Sequence, residues 1–113
     1  MLLDVYDQHL ARLTSIATSV CTVLCQGGIE YRVVGGLAVL FHVQLRDPMA
    51  ARVTRDVDLA IRRTDLPRII QAVRILGLEH EHIAGVDMLV YTGGLNRRGV
   101  HLLFAGEKYG LRI

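Results

Sequence analysis

The stretch Thr54-Arg55-Asp56-Val57-Asp58-Leu59-Ala60-Ile61 constrains the fold more than any other part of the chain. Val57, Leu59 and Ile61 alternate with Asp56 and Asp58, which predicts a strand over 54–61 with one buried face. The carboxylates of Asp56 and Asp58 would then point the same way, about 7 Å apart along the strand. Two like charges aimed at one place repel unless a cation lies between them. Mg²⁺ suits such a pair, because it takes oxygen ligands and leaves other positions for water and phosphates. On its own an Asp-x-Asp pair is as often a solvated strand face, so its neighbours carry weight.

Those neighbours predict an alternation of helices and strands. Leu3, Tyr6, Leu10, Leu13, Ala17, Val20 and Leu24 recur at three- and four-residue steps, which predicts a helix over 2–24. Gly27-Gly28 would end it. Tyr31 to Val34 reads as a short buried strand, closed by Gly35-Gly36. Leu37 to Val43 can form a short helix, and residues 44–53 read as a loop broken by Pro48. After the Asp-x-Asp strand, Thr64 or Asp65 would cap a further helix, with Pro67 in its first turn and Gly77 after its end. Leu78–Ile83 and Asp87–Tyr91 read as two strands around Ala84-Gly85. Thr92–Gly99 reads as a polar loop, Val100–Phe104 as a last strand, and Ala105-Gly106 as a turn. The order predicts an α/β or α+β fold, helices packed on one mixed sheet.

The 113 residues suffice for one domain, 1–113, with one core. Either that domain is minimal or a C-terminal part lies beyond Ile113. At 51% apolar and 21% charged, the composition is that of a folded chain. Thirteen basic residues against eleven acidic ones do not demand a polyanionic partner. Twelve of the thirteen are Arg, the side chain suited to forked contacts with phosphate, and nine of these lie after residue 51. No stretch reads as a membrane span. Asp4 and Asp7 stand where a signal peptide needs positive charge, so a cytoplasmic protein with free thiols is expected. Cys21 and Cys25, one helical turn apart, are poorly placed for a disulfide. The apolar content makes a homodimer plausible.

The combination of Val33-Val34-Gly35-Gly36-Leu37-Ala38 with Arg52-Val53-Thr54-Arg55-Asp56-Val57-Asp58-Leu59 resembles the nucleotidyltransferase superfamily with the DNA polymerase β-like core. It looks most like its minimal bacterial members, the AbiEii-type proteins among them. The resemblance covers roughly residues 30–106. It implies that Gly35 and Gly36 hold a triphosphate, where backbone N–H groups can approach phosphate oxygens. It implies that Asp56 and Asp58 bind Mg²⁺, two ions in an active member, with Arg52, Arg55 or Arg62 adding positive charge near the phosphates. Arg55 points opposite to Asp56 on a strand, which ranks Arg52 ahead. The implied reaction moves a nucleoside monophosphate from a nucleoside triphosphate to a hydroxyl on RNA, protein or a small molecule, with pyrophosphate leaving.

The sequence departs from that pattern on Val100-His101-Leu102-Leu103-Phe104. The family places a third carboxylate on this strand, and His101 stands where it would be. His is a poor Mg²⁺ ligand and a good base near neutral pH. Three readings stay open: His101 is the base, Asp87 or Glu107 supplies the acid, or the site is impaired. An impaired site would leave an interaction protein, such as a component of a toxin–antitoxin or resistance system. His80 and His82 share a strand face where zinc could bind, but the sequence offers no third ligand and a solvated face is the plainer reading. Arg97-Arg98 reads as an exposed hairpin tip.

Overall fold

The computed structural model describes residues 5–34, 57–92 and 99–107. Helix α1 runs Val5–Gln26 and is followed by strand β1, Arg32–Val34. Strand β2 is Val57–Ile61. A 3₁₀ turn at Arg63–Asp65 leads into helix α2, Leu66–Ala72, which tightens into a second 3₁₀ turn at Val73–Leu76. Strands β3 (Leu78–Ile83), β4 (Val86–Tyr91) and β5 (Gly99–Phe104) complete the described elements.

The five strands form one mixed sheet in the order β1-β2-β5-β4-β3. Only β2 and β5 run parallel; the other three neighbouring pairs are antiparallel. The fold is α+β, with helices packed on one mixed sheet, as the element order predicts.

The core lies between the helices and one sheet face. Leu13, Ile16, Ala17, Val20 and Leu24 form the inward stripe of α1 at helical spacing. They meet Val57, Leu59 and Ile61 of β2 and Val100, Leu102 and Phe104 of β5 within one buried cluster. Burying an aliphatic side chain of this size contributes about 1.5–3 kcal/mol, so this stripe holds α1 to the sheet. The alternation read in 57–61 is therefore the real division between the two faces, with Val57, Leu59 and Ile61 at most 1% exposed.

Local signals account for most boundaries. Gly28 adopts φ 68° and closes α1, as its N–H bonds Cys25 C=O and the N–H of Ile29 reaches back to Leu24 C=O. Ile29 and Leu24 are both buried, which completes the motif with an apolar contact. Arg68 of α2 donates to the carbonyl of Gly27 at 2.9 Å, tying the end of α1 to α2.

Three expectations need correction. The strand after α1 is a three-residue sheet edge with Arg32 exposed, not a buried strand, because its other flank has no strand neighbour among the described residues. Gly99 belongs to β5 rather than to the loop before it. Neither Thr64 nor Asp65 caps α2 through its side chain; the Asp65 carboxylate instead accepts from Arg68 at 3.4 Å. The helix expected at 37–43 and the loop at 44–53 lie outside the described residues.

Candidate functional site

Alternation sends Asp58 to the sheet face opposite the helices, because Val57 and Leu59 are committed to the core. The same rule applies to β5, where Val100 and Leu102 point inward and His101 outward. Asp58 and His101 are direct register partners across the parallel β2–β5 pair. His101 Nδ1 donates to Asp58 Oδ1 at 3.1 Å. Both side chains are a little over a quarter exposed, 27% for Asp58 and 29% for His101. The pair is thus accessible to a ligand while its geometry is fixed by two strands.

On its other side Asp58 is in register with Val34, and the sequence continues from Val34 directly into Gly35-Gly36. Asp56 precedes Val57 by one residue. Gly35, Gly36, Arg52, Arg55 and Asp56 themselves lie outside the described residues, as do Arg97 and Arg98. Of the residues singled out for the nucleotide site, the structure therefore brings together Asp58 and His101.

The two alternative acids lie elsewhere. Asp87 is in register with buried Leu102, so it faces the helix side of the sheet, away from Asp58. There its Oδ1 accepts from His80 Nε2 at 2.8 Å and from His82 Nδ1 at 3.0 Å. Burial pushes the Asp87 carboxyl up, and the bonds from the two imidazoles outweigh it, so the group lies below the usual carboxylate range. Glu107 follows the turn after β5 and is gripped by the fork of Arg63, with Nε–Oε2 at 2.9 Å and Nη2–Oε1 at 2.8 Å. That bond holds the Glu107 carboxyl below its ordinary value. Arg63 also stacks 3.8 Å over the ring of Phe104. Arg63, His82, Asp87, His101 and Glu107 border one cavity of about 300 Å³ at the carboxyl end of the β2–β5 pair.

Sequence reasoning missed the Asp87 cluster. A recoverable signal was present: a two-residue turn at Ala84-Gly85 puts Ile83 opposite Val86 and therefore His82 opposite Asp87. His80 lies one pleat further on the same face.

An imidazole oriented by a carboxylate through Nδ1 keeps Nε2 as its basic nitrogen, the arrangement used to take a proton from a hydroxyl. Asp58 also offers the hard oxygen that Mg²⁺ prefers, whereas the imidazole does not suit that ion. Asp58 therefore fits Mg²⁺ as one of its ligands, with Asp56 two residues away as the second carboxylate the alternation supplies. Among the described residues, no group of three or more His, Cys, Asp or Glu side chains could hold a metal ion. Nor is any described helix long and apolar enough to cross a membrane. Cys21 and Cys25 are both free thiols. In comparisons with known proteins, the chain matches no family model, no curated protein and no solved structure.

Proposed function

We propose that this chain is a nucleotidyltransferase-like protein that binds a nucleoside triphosphate with Mg²⁺ and transfers its nucleoside monophosphate to a hydroxyl acceptor. One observation carries the reading: Asp58 and His101 meet at 3.1 Å on neighbouring parallel strands, in the relation the resemblance assigns to a metal-binding acid and the activating group. In this reading Asp56 and Asp58 hold Mg²⁺, and Gly35, Gly36 and Arg52 or Arg55 contact the phosphates. When bound, the ion would neutralise charge on the triphosphate. His101 Nε2 takes the proton of the acceptor hydroxyl as its oxygen attacks the α-phosphorus. Pyrophosphate leaves with the electrons of the broken P–O bond. The Asp58 carboxylate holds the ring in position and offsets the positive charge it gains. A cytoplasmic setting agrees with this chemistry and with the two unpaired thiols.

A second reading is favoured by the same contact. One oxygen of Asp58 already accepts from His101, and a histidine occupies the place of a carboxylate. That substitution suits a protein that keeps the fold and binds a partner without turning over nucleotide, as in a toxin–antitoxin or resistance system.

Thermal melting with each of the four ribonucleoside triphosphates, with Mg²⁺ and with chelator, tests both. Ligand at a hundred times its Kd stabilises the native state by about 2.7 kcal/mol. A rise that needs both Mg²⁺ and one triphosphate, and that is lost in Asp56→Ala/Asp58→Ala, supports the first reading. No rise with any of the four rejects it. Pyrophosphate release gained by His101→Asp would identify a decayed enzyme.

A further inference from the structure

Strand β5 outruns its neighbour β4. Their pairing runs from Gly99 opposite Val90 to Leu102 opposite Asp87. On its other flank β5 stays paired with β2 as far as Phe104 opposite Ile61. Among the described pairings, Leu103 and Phe104 therefore have a strand on one side only. The Ala84-Gly85 turn ends the β3–β4 hairpin beside this gap. The 300 Å³ cavity occupies it, bordered by groups from both faces of the sheet. His101 and Leu103 come from the face that carries Asp58, and Asp87 and Phe104 from the helix side. Arg63 and Glu107 border it from the turns that follow β2 and β5.

We propose that this cavity holds the hydroxyl acceptor, and that the acceptor is a small neutral polyol of monosaccharide size rather than RNA or protein. The assignment rests on the nucleotidyl-transfer reading given above. At about 30 Å³ per water, the space takes about ten water-sized groups, close to the heavy-atom content of one monosaccharide. It lies at the lower end of the volumes that bind small molecules. Its polar groups are already held in place. Glu107 is gripped by Arg63, and Asp87 accepts from His80 and His82. An ionised carboxylate has room for about four hydrogen bonds, and each of these two accepts two. Both therefore keep capacity for a ligand, and their fixed positions lower the ordering cost of binding it. A hydroxyl both donates and accepts, so a polyol matches a rim that mixes carboxylates with the N–H groups of Arg63 and His82. The apolar side chains of Val86, Leu103 and Phe104 suit the C–H face of a ring. An RNA end would instead bring its phosphates against two carboxylates, and like charges repel. A lone protein side chain such as Ser would leave most of the space unfilled. His101 borders the same cavity, so a hydroxyl of the bound molecule lies beside the proposed base.

The test uses the full chain with glucose and myo-inositol as probes, and with an RNA oligonucleotide and a Ser-containing peptide as the rival acceptors. Binding is read first without nucleotide, by saturation-transfer NMR on the probe. The expected result is saturable binding of at least one probe, weakened about tenfold in Glu107→Gln, which removes a charged acceptor. That variant breaks only a surface ion pair and should keep its circular dichroism spectrum. Val86→Trp, at a position 39% exposed, should block binding by filling the gap. With Mg²⁺ and a triphosphate, the bound probe should raise pyrophosphate release. Glu107→Gln should then raise the probe's KM about tenfold and leave the triphosphate-dependent melting rise in place. No binding of either probe, or undiminished binding in both variants, would overturn the proposal. So would pyrophosphate release stimulated by the oligonucleotide or the peptide and by neither probe. Probe binding to a chain whose melting no triphosphate shifts would sink the nucleotide reading, and the acceptor role with it, while leaving a polyol-binding cavity.

Discussion

Asp58 and His101 stand opposite one another on the only parallel strand pair of the described sheet, 43 residues apart in the chain and 3.1 Å apart in space. Neither belongs to the apolar core, and neither is fully solvated. Their contact is fixed by backbone register, so side-chain substitutions can probe the chemistry without moving the strands.

The two residues should separate kinetically. His101→Gln removes the proposed base and should lower pyrophosphate release by about 10²- to 10⁴-fold. It should leave the Mg²⁺-dependent rise in melting temperature with triphosphate in place. Asp58→Ala should remove both. Equal loss of nucleotide binding in the two variants would show that His101 serves binding rather than proton transfer.

Asp87 should make the protein sensitive to acid. Its folded carboxyl is more acidic than the ordinary value of 3.8, so through that range the unfolded chain binds more protons than the folded one. The resulting stability is complete above about pH 5 and is lost as pH falls through the folded value. Asp87→Asn cannot ionise and should flatten this limb of a melting-temperature profile. At neutral pH it should cost about 1–3 kcal/mol, because two imidazoles lose a charged acceptor. A variant with the wild-type acid limb would place the sensitivity in another carboxylate.

Gly99 is a packing constraint. A Cβ added there would collide with the backbone carbonyl of Leu89 on β4, and a backbone carbonyl cannot swing aside as a side chain can. Gly99→Ala should therefore destabilise by about 3 kcal/mol, readable as a lower urea midpoint. A change below a few tenths would mean that the two strands separate there at little cost.

Ala84 offers the reverse. It sits at φ 53° beside Gly85 at φ 77°, in a two-residue hairpin turn that needs positive φ at both positions. A Cβ in that conformation costs about 1–2 kcal/mol. Ala84→Gly should stabilise the domain by about 0.5–1 kcal/mol after the added freedom of the unfolded chain is counted. A fall in melting temperature would show that the Ala84 methyl makes a compensating contact.

The sequence discloses what depends on near neighbours. The stripe on α1, the alternation in β2 and the Ala84-Gly85 turn are all local, and each marks an element correctly. The faces of Asp58 and His101 follow from the same alternation. Strand order does not, since it depends on which edges meet after the chain has crossed the sheet. β5 inserts between β2 and β4, and only that placement sets His101 against Asp58 and turns Asp87 to the far side. For the same reason β1 reads as buried from its β-branched residues although it is an edge. The ion pair of Arg63 with Glu107 joins two loop positions that no periodicity connects.

The strand order also governs when the Asp58–His101 contact can exist. β3 and β4 are joined by two residues and can pair early, whereas β2 must wait for β5, the last described strand in the chain and the middle one in the sheet. Until β5 arrives, β2 and β4 each present an open edge of unpaired backbone groups, the kind of surface that invites pairing with other chains. Contacts this distant in sequence form late and slowly. The step that brings His101 to Asp58 is therefore the same step that closes the sheet, so a nascent or partly unfolded molecule lacks the Asp58–His101 contact and has two exposed strand edges at once.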